Sequence, residues 1–230
     1  QQVACEPGWV HHAARQTCLR VVSQGATWGN AVKHCAQQGA HLWQPAFDGT
    51  TDQFVTDWFL PDGGTAVWHA AVCVGSSYVG LHDGVDYTSS MGGSCAPSGI
   101  RSTAVNSGGS IILVASGPSS LVRVLCERPE YSKGFDAVDS MSIQCPPGWF
   151  GMMGDCWLPS FWMDTLQSAT ATLADAERTC AQAGATALAQ LETEIHYEVL
   201  RSLSPGQAQQ WVGVALSGST YEWSIDGIDL

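Results

Sequence analysis

A chain of 230 residues, 45% of them hydrophobic and 13% charged, is long enough for one large domain or two of ordinary size and has the apolar content to bury a core. Its formal net charge of -12 is unevenly spread: residues 1 to 128 carry six Lys or Arg against eight Asp or Glu, and residues 129 to 230 carry three against thirteen. A surface of that sign repels phosphate backbones, which argues against nucleic acid and favours basic partners or cations. Nine cysteines without a Cys-x-x-Cys pair point to an oxidising compartment and a disulfide framework, hence an extracellular or lumenal address. No apolar run reaches the roughly 18 residues of a membrane helix, and Gln1-Gln2-Val3-Ala4 is no leader, so the chain reads as a soluble, already processed segment. Neither asparagine, Asn30 or Asn106, stands in an Asn-x-Ser/Thr sequon.

In chain order, Cys5-Glu6-Pro7-Gly8-Trp9 opens the sequence and is followed after a short interval by Cys18, consistent with a hairpin whose ends are stapled and whose turn holds Gly or small residues. The run Trp28 to Gly39 predicts a helix. Thr27 can accept from the early backbone N–H groups, Trp28, Ala31, Val32 and Cys35 recur at three-to-four spacing, and Gly39 supplies the left-handed residue past its end. Cys35 therefore points into a core. A second helix is expected over Thr51 to Phe59, ended by Pro61, then a strand, turn and strand from Trp68 to Gly84 around Gly75-Ser76 and Asp83-Gly84. A Gly/Ser-rich stretch from Tyr87 to Gly109, an apolar strand Ile111 to Val114, a turn at Gly117-Pro118 and a last strand Leu121 to Cys126 follow.

The same landmarks then return. Cys145-Pro146-Pro147-Gly148-Trp149 with Cys156 repeats the opening, and Leu173 to Gly184 repeats the cysteine helix around Cys180. Thr193 to Leu200 is its second helix, and Trp211 to Gly227 matches Trp68 to Gly84 without a gap. Repetition in this order makes two homologous domains the better reading: residues 1–128, a linker over 129–144, and 145–230, which stops before its closing strands.

These openings, the helix cysteines Cys35 and Cys180 followed by Ala-Gln and ended at Gly-Ala, the run Trp211-Val212-Gly213-Val214, the turn Trp223-Ser224-Ile225-Asp226-Gly227 and the ending Val124-Leu125-Cys126-Glu127 resemble the C-type lectin-like domain in its long form. The resemblance implies an α+β fold, two C-type lectin-like domains, each with two helices packed on twisted antiparallel sheets and stapled by disulfides. It implies bridges Cys5 to Cys18, Cys35 to Cys126 and Cys145 to Cys156. Cys73 and Cys95 are then left to each other, a departure from the family's usual second bridge, and the register there stays open because Tyr78 to Leu81 is an alternative core strand. Cys180 is unpaired in this segment. By analogy its partner lies past Leu230, so the chain is expected to end inside its second domain.

Sugar binding in the family commonly uses a calcium ion held by a Glu-Pro-Asn or Gln-Pro-Asp triplet in the long loop and a Trp-Asn-Asp triplet near the last strands. This chain has Ala96-Pro97-Ser98 and Gly117-Pro118-Ser119-Ser120 at those places, and Gln44-Pro45-Ala46 falls outside the long loop, so calcium is not supported in the first domain. Asp83 with Asp86 and Asp226 with Asp229 are weak cation candidates, outweighed by the turn reading of Asp-Gly. The scattered histidines His11, His12, His34, His41, His69, His82 and His196 make no zinc pattern, no Gly-x-Ser-x-Gly elbow occurs, and no activated thiol is indicated. Trp157, Phe161 and Trp162, with Tyr87, form a candidate contact surface; for the cluster after Cys156, packing between the domains is the favoured reading over an offer to a partner. The expected function is non-catalytic extracellular recognition or assembly through a protein partner, with no cofactor, no nucleic acid and no membrane span in this segment. A calcium-dependent lectin binding a glycan is the alternative, and an extracellular hydrolase the second.

Overall fold

The computed structural model describes residues 5–45, 50–60, 66–89, 95, 101–107, 110–116, 120–130, 145–159, 162, 172–203, 214–217 and 220–223. The predicted opening hairpin is β1 (Val10–His12) with the start of β2 (Thr17–Ala26), paired His11 to Cys18. Helix α1 (Trp28–Gln37) buries Trp28, Ala31, Val32, Cys35 and Ala36, the face set by their spacing. Gly39, at φ +60°, ends it, its N–H donating to the Ala36 carbonyl at 3.0 Å. Thr27 is the N-cap residue, but its side chain makes no capping hydrogen bond, contrary to expectation.

Beyond α1 come β3 (His41–Leu42), α2 (Thr50–Phe59), β4 (Ala66–Val74) and β5 (Ser77–Gly80). Strand β6 (Arg101–Ser107) falls in the Gly/Ser-rich stretch, where no strand was expected. Its small polar residues give little apolar alternation, and the element exists because β4 on one side and β7 (Ser110–Ser116) on the other satisfy its backbone. The last strand, β8 (Val122–Pro129), runs past Cys126, and Glu130 N–H donates to the Gln16 carbonyl at 3.1 Å, so the first residues of the expected linker belong to the sheet.

These strands form one mixed sheet in the order β1-β2-β8-β4-β6-β7, with β3 added to β8 and β5 to β4. Among the described residues β4 and β8 make its parallel pair. Successive residues of a strand face opposite sides, and the sheet accordingly separates two cores. Trp68, Val124 and Cys126 join Trp28, Ala31, Val32 and Cys35 on one side. Val67, Leu125 and Leu19 join Trp43, Val55, Phe59 and Leu60 on the other, under α2. The buried indoles of Trp28 and Trp68 donate to the His69 and Ala26 carbonyls at 3.1 and 2.6 Å.

The later segment supplies β9 (Phe150–Met152), β10 (Asp155–Trp157), α3 (Leu173–Gln182), α4 (Glu194–Leu203), β11 (Val214–Ser217) and β12 (Thr220–Trp223). Its hairpin repeats the first in register: Ala71 opposite Gly80 recurs as Val214 opposite Trp223, and Val74 opposite Ser77 as Ser217 opposite Thr220. Helix α3 carries the capping box that α1 lacks, Thr172 accepting from Asp175 N–H while the Asp175 carboxylate accepts from Thr172 N–H. No residue of α3 is buried.

The two segments share a core. Phe150 and Met152 of β9 and Val199, Leu200 and Leu203 of α4 lie in the same cluster as Trp28, Ala31 and Trp68. Backbone bonds cross as well: Gly148 N–H donates to the Ala36 carbonyl at 2.8 Å and Met153 N–H to the Leu81 carbonyl at 3.3 Å.

Candidate functional site

The stretch after β5 holds the densest polar chemistry. Asp83, in the turn that closes β5, presents Oδ1 to the Val85 N–H at 3.0 Å and Oδ2 to the Gln44 amide at 2.6 Å and to the Tyr87 hydroxyl. Gln44 Nε2 donates to Tyr87 as well, at 3.1 Å, and the Gln44 carbonyl accepts from Arg15 at 2.9 Å. Both Asp83 oxygens are thus engaged by donors. The Tyr87 phenol is pushed up to about 12 by burial, then by its bond to the Asp83 carboxylate and that group's charge. Asp86 is exposed and its Oδ1 accepts from the Thr88 N–H at 2.8 Å; the hydrogen bonds from Thr88 hold its carboxyl below the usual range. The two aspartates accept from different donors, Asp83 from Val85, Gln44 and Tyr87 and Asp86 from Thr88. Asp226 and Asp229 lie outside the described residues.

Glycine is required beneath this network. A Cβ on Gly80 would overlap the Asp83 carboxylate, lie 2.9 Å from the Tyr87 ring and 3.1 Å from Gln44 Nε2.

A second polar cluster lies between the sheet and β9. Glu127 of β8 is 1% exposed and directly opposite His41 of β3 in the strand register, with Arg15 Nη1 at 3.5 Å and His41 Nε2 at 3.8 Å from its carboxylate. Burial alone would raise the Glu127 carboxyl; the His41 ring and the Arg15 charge outweigh it and bring it below the ordinary range. The His41 ring meets His82 edge-on at 4.6 Å. His82 in turn places Nε2 3.1 Å from the Leu42 carbonyl and Nδ1 3.1 Å from the Gly151 carbonyl. Burial, then the charge of His41, lowers His82 to about 4, against the opposing pull of the two carbonyls and Glu127.

This cluster was not read from the sequence. In the sequence Glu127 is the end of the closing-strand run Val124-Leu125-Cys126-Glu127, and nothing local marks His41 and His82 as neighbours. The one hint, an acidic residue inside an apolar strand, says that a partner exists and not which.

Eight of the nine cysteines are paired: Cys5 with Cys18, Cys35 with Cys126, Cys73 with Cys95 and Cys145 with Cys156. Cys180 is a free, half-buried thiol, pushed up by burial. Of the candidate contact surface, Trp157 packs its ring 5.0 Å from His196 and Trp162 lies 5.4 Å from Phe150, both half-buried against the shared core, and Tyr87 is tied into the Asp83 network. Phe161 lies outside the described residues, as do Ala96 to Ser98 and Gly117 to Ser119. The large apolar side chains exposed on the described surface are Trp58, Val85, Leu121 and Tyr197. Among the described residues no cluster of three or more His, Cys, Asp or Glu groups could hold a metal ion. No helix among them is long and apolar enough to cross a membrane.

No protein-family model matches the chain, and no curated protein sequence does. Solved structures do. The C-type lectin domain of murine dendritic cell inhibitory receptor 2 in complex with an N-glycan matches 54% of this chain and 98% of its own at 10% identity and a TM-score of 0.40. The C-type lectin CEL-I from Cucumaria echinata matches 54% and 96% at 12% identity and a TM-score of 0.39. Rhodocetin matches 54% and 99% at 17% identity and a TM-score of 0.38.

Proposed function

We propose that this chain is a non-catalytic, disulfide-stabilised recognition or assembly module of the extracellular space, working through protein contacts and without calcium at its first repeat. The observation that carries the reading is the engagement of Asp83 within the fold: its two carboxylate oxygens accept hydrogen bonds from Val85, Gln44 and Tyr87, so the acid and amide groups of this turn brace the fold and are not arranged as a cluster of cation ligands. The Cys35 to Cys126 clasp and the recurrence of the β4–β5 register in β11–β12 support two repeats of C-type lectin-like design, residues 1–128 and 145–230, with Cys180 standing where Cys35 stands in the first. Bridges in such number fit an oxidising, extracellular setting. The partner's surface is basic at its contact, given the net charge of -12.

Calorimetry of the whole chain with calcium, alone and with a glycan panel, tests the reading. No calcium heat and no calcium-dependent glycan response is expected. A calcium-dependent sugar response by the Gly80 to Thr88 region, lost in Asp83→Asn, would establish the lectin alternative instead.

A further inference from the structure

Helix α2 ends in a charge arrangement that the helix alone does not favour. Asp57 lies in its last turn, where the backbone carbonyls already form the negative end of the helix dipole. No Lys or Arg occurs in Thr50–Phe59 to offset it. Gln53 Nε2, one turn earlier, donates to Asp57 Oδ1 at 2.6 Å, which orients the carboxylate without neutralising it. Among the described residues Asp57 makes no ion pair. Arg123 reaches this end of the helix, but its Nη1 donates to the Phe59 carbonyl at 3.3 Å. Beside Asp57 stands Trp58, 61% exposed. Its indole is the outermost of a row of rings: buried His12 stacks on Phe54 at 4.3 Å, and Phe54 lies 6.1 Å from Trp58. Phe54 in turn packs on the core under α2.

An exposed, anchored indole next to an uncompensated carboxylate is complementary to a guanidinium, which stacks on the ring face and bonds the carboxylate at its edge. The chain builds this combination once within itself: Arg128 lies 4.2 Å above the Trp9 ring and places Nη2 2.7 Å from the Glu6 carboxylate. Trp58 and Asp57 supply the indole and the acid, and the cation is left to a partner. We propose that the outer face of α2, Trp58 with Asp57, is the surface by which this chain takes a basic protein partner, through an arginine stacked on the indole and bonded to the carboxylate. The inference rests on the reading above that the partner is a protein with a basic contact surface. A second copy of this chain is a poor occupant, because two bodies of net charge -12 repel each other.

The test is an NMR titration of the whole chain, its tryptophans nitrogen-labelled, with a peptide of alternating glycine and arginine and with the same peptide carrying neutral citrulline for arginine. The Trp58 indole signal, identified by its loss in Trp58→Leu, is expected to move with the arginine peptide and not with the citrulline one. Trp58→Leu should weaken binding about two- to fivefold, the size of an exposed cation–π contact. Asp57→Asn should weaken it by about as much, as loss of an exposed ion pair does. Glu194→Gln, which removes one charge from α4, should weaken it less than Asp57→Asn. Should a Trp58 variant not fold, the native Trp58 signal and Asp57→Asn decide. Arginine-peptide binding that leaves Trp58 unmoved, or that falls equally in Glu194→Gln and Asp57→Asn, overturns this surface while the basic-partner reading stands. An equal response of Trp58 to the citrulline peptide, or a response to neutral glycans in place of the arginine peptide, overturns the arginine contact. No binding of the arginine peptide anywhere overturns both.

Discussion

Cys35 on helix α1 and Cys126 on strand β8 are joined with their Cα atoms 5.4 Å apart across a sequence separation of 91. Both are fully buried, so the bond fastens the helix to the centre of the sheet between the hydrophobic faces that hold it. Closing a loop of that length stabilises by roughly 4 to 5 kcal/mol in the chain-entropy account. The double variant Cys35→Ala/Cys126→Ala is expected to lose about that much in urea unfolding, and a loss under 1 kcal/mol would mean that packing alone fixes the helix.

Gly80→Ala is expected to cost about 1 to 3 kcal/mol, the range for overfilling a packed site. The new methyl group meets an Asp83 side chain that cannot swing away without breaking its bonds to Gln44, Tyr87 and Val85. Thermal unfolding gives the cost, and UV titration of tyrosine gives the mechanism: release of Tyr87 should bring its phenol down from about 12.

Phe150 is 2% exposed and touches Trp162, inside a cluster otherwise built largely from residues between Cys5 and Cys126. Phe150→Ala should therefore cost about 3 to 5 kcal/mol, and the loss should appear in probes of β4 and β8 as well as in the later segment. Unfolding of the later segment alone, with the transition of β4 and β8 unmoved, would contradict a shared core.

The two cysteine helices predict a contrast. Thr172→Ala removes the side-chain half of the α3 capping box, the Oγ1 that accepts from Asp175 N–H, and should cost about 1 kcal/mol, whereas Thr27→Ala removes no capping bond and should cost a few tenths. Site-resolved exchange of the first-turn amides of each helix measures both.

Stability should fall as pH drops from about 6.5 toward 4. Burial lowers His69 to about 3, and burial with His41 lowers His82 to about 4. Each binds its proton more readily unfolded than folded in that window, which favours unfolding as acid is added. Glu127, held below its ordinary range, adds a loss of the same sign as it becomes protonated at lower pH. The urea midpoint measured at intervals from pH 7.5 to 4 checks this, and a flat profile would contradict it.

Much of the fold was legible because its determinants are local. The three-to-four spacing of Trp28, Ala31, Val32 and Cys35, with Gly39 after it, describes α1 without a tertiary partner, and Gly75-Ser76 between apolar runs describes the β4–β5 hairpin. Strand β6 was not legible, since its run Arg101 to Ser107 lacks an apolar period and is a strand only through its neighbours. The role of Asp83 was half legible: Asp-Gly marked the turn, while Gln44 reaches it from 39 residues away.

By itself the sequence determined helices such as α1 and hairpins such as β4–β5, because side-chain period and turn chemistry act over a few residues. Only the tertiary structure gathered His41 and His82 around the buried Glu127 carboxylate and seated Phe150 and Leu200 in the core beside Trp28. Those groupings depend on burial and on distances between segments far apart in the chain, and no local pattern encodes either.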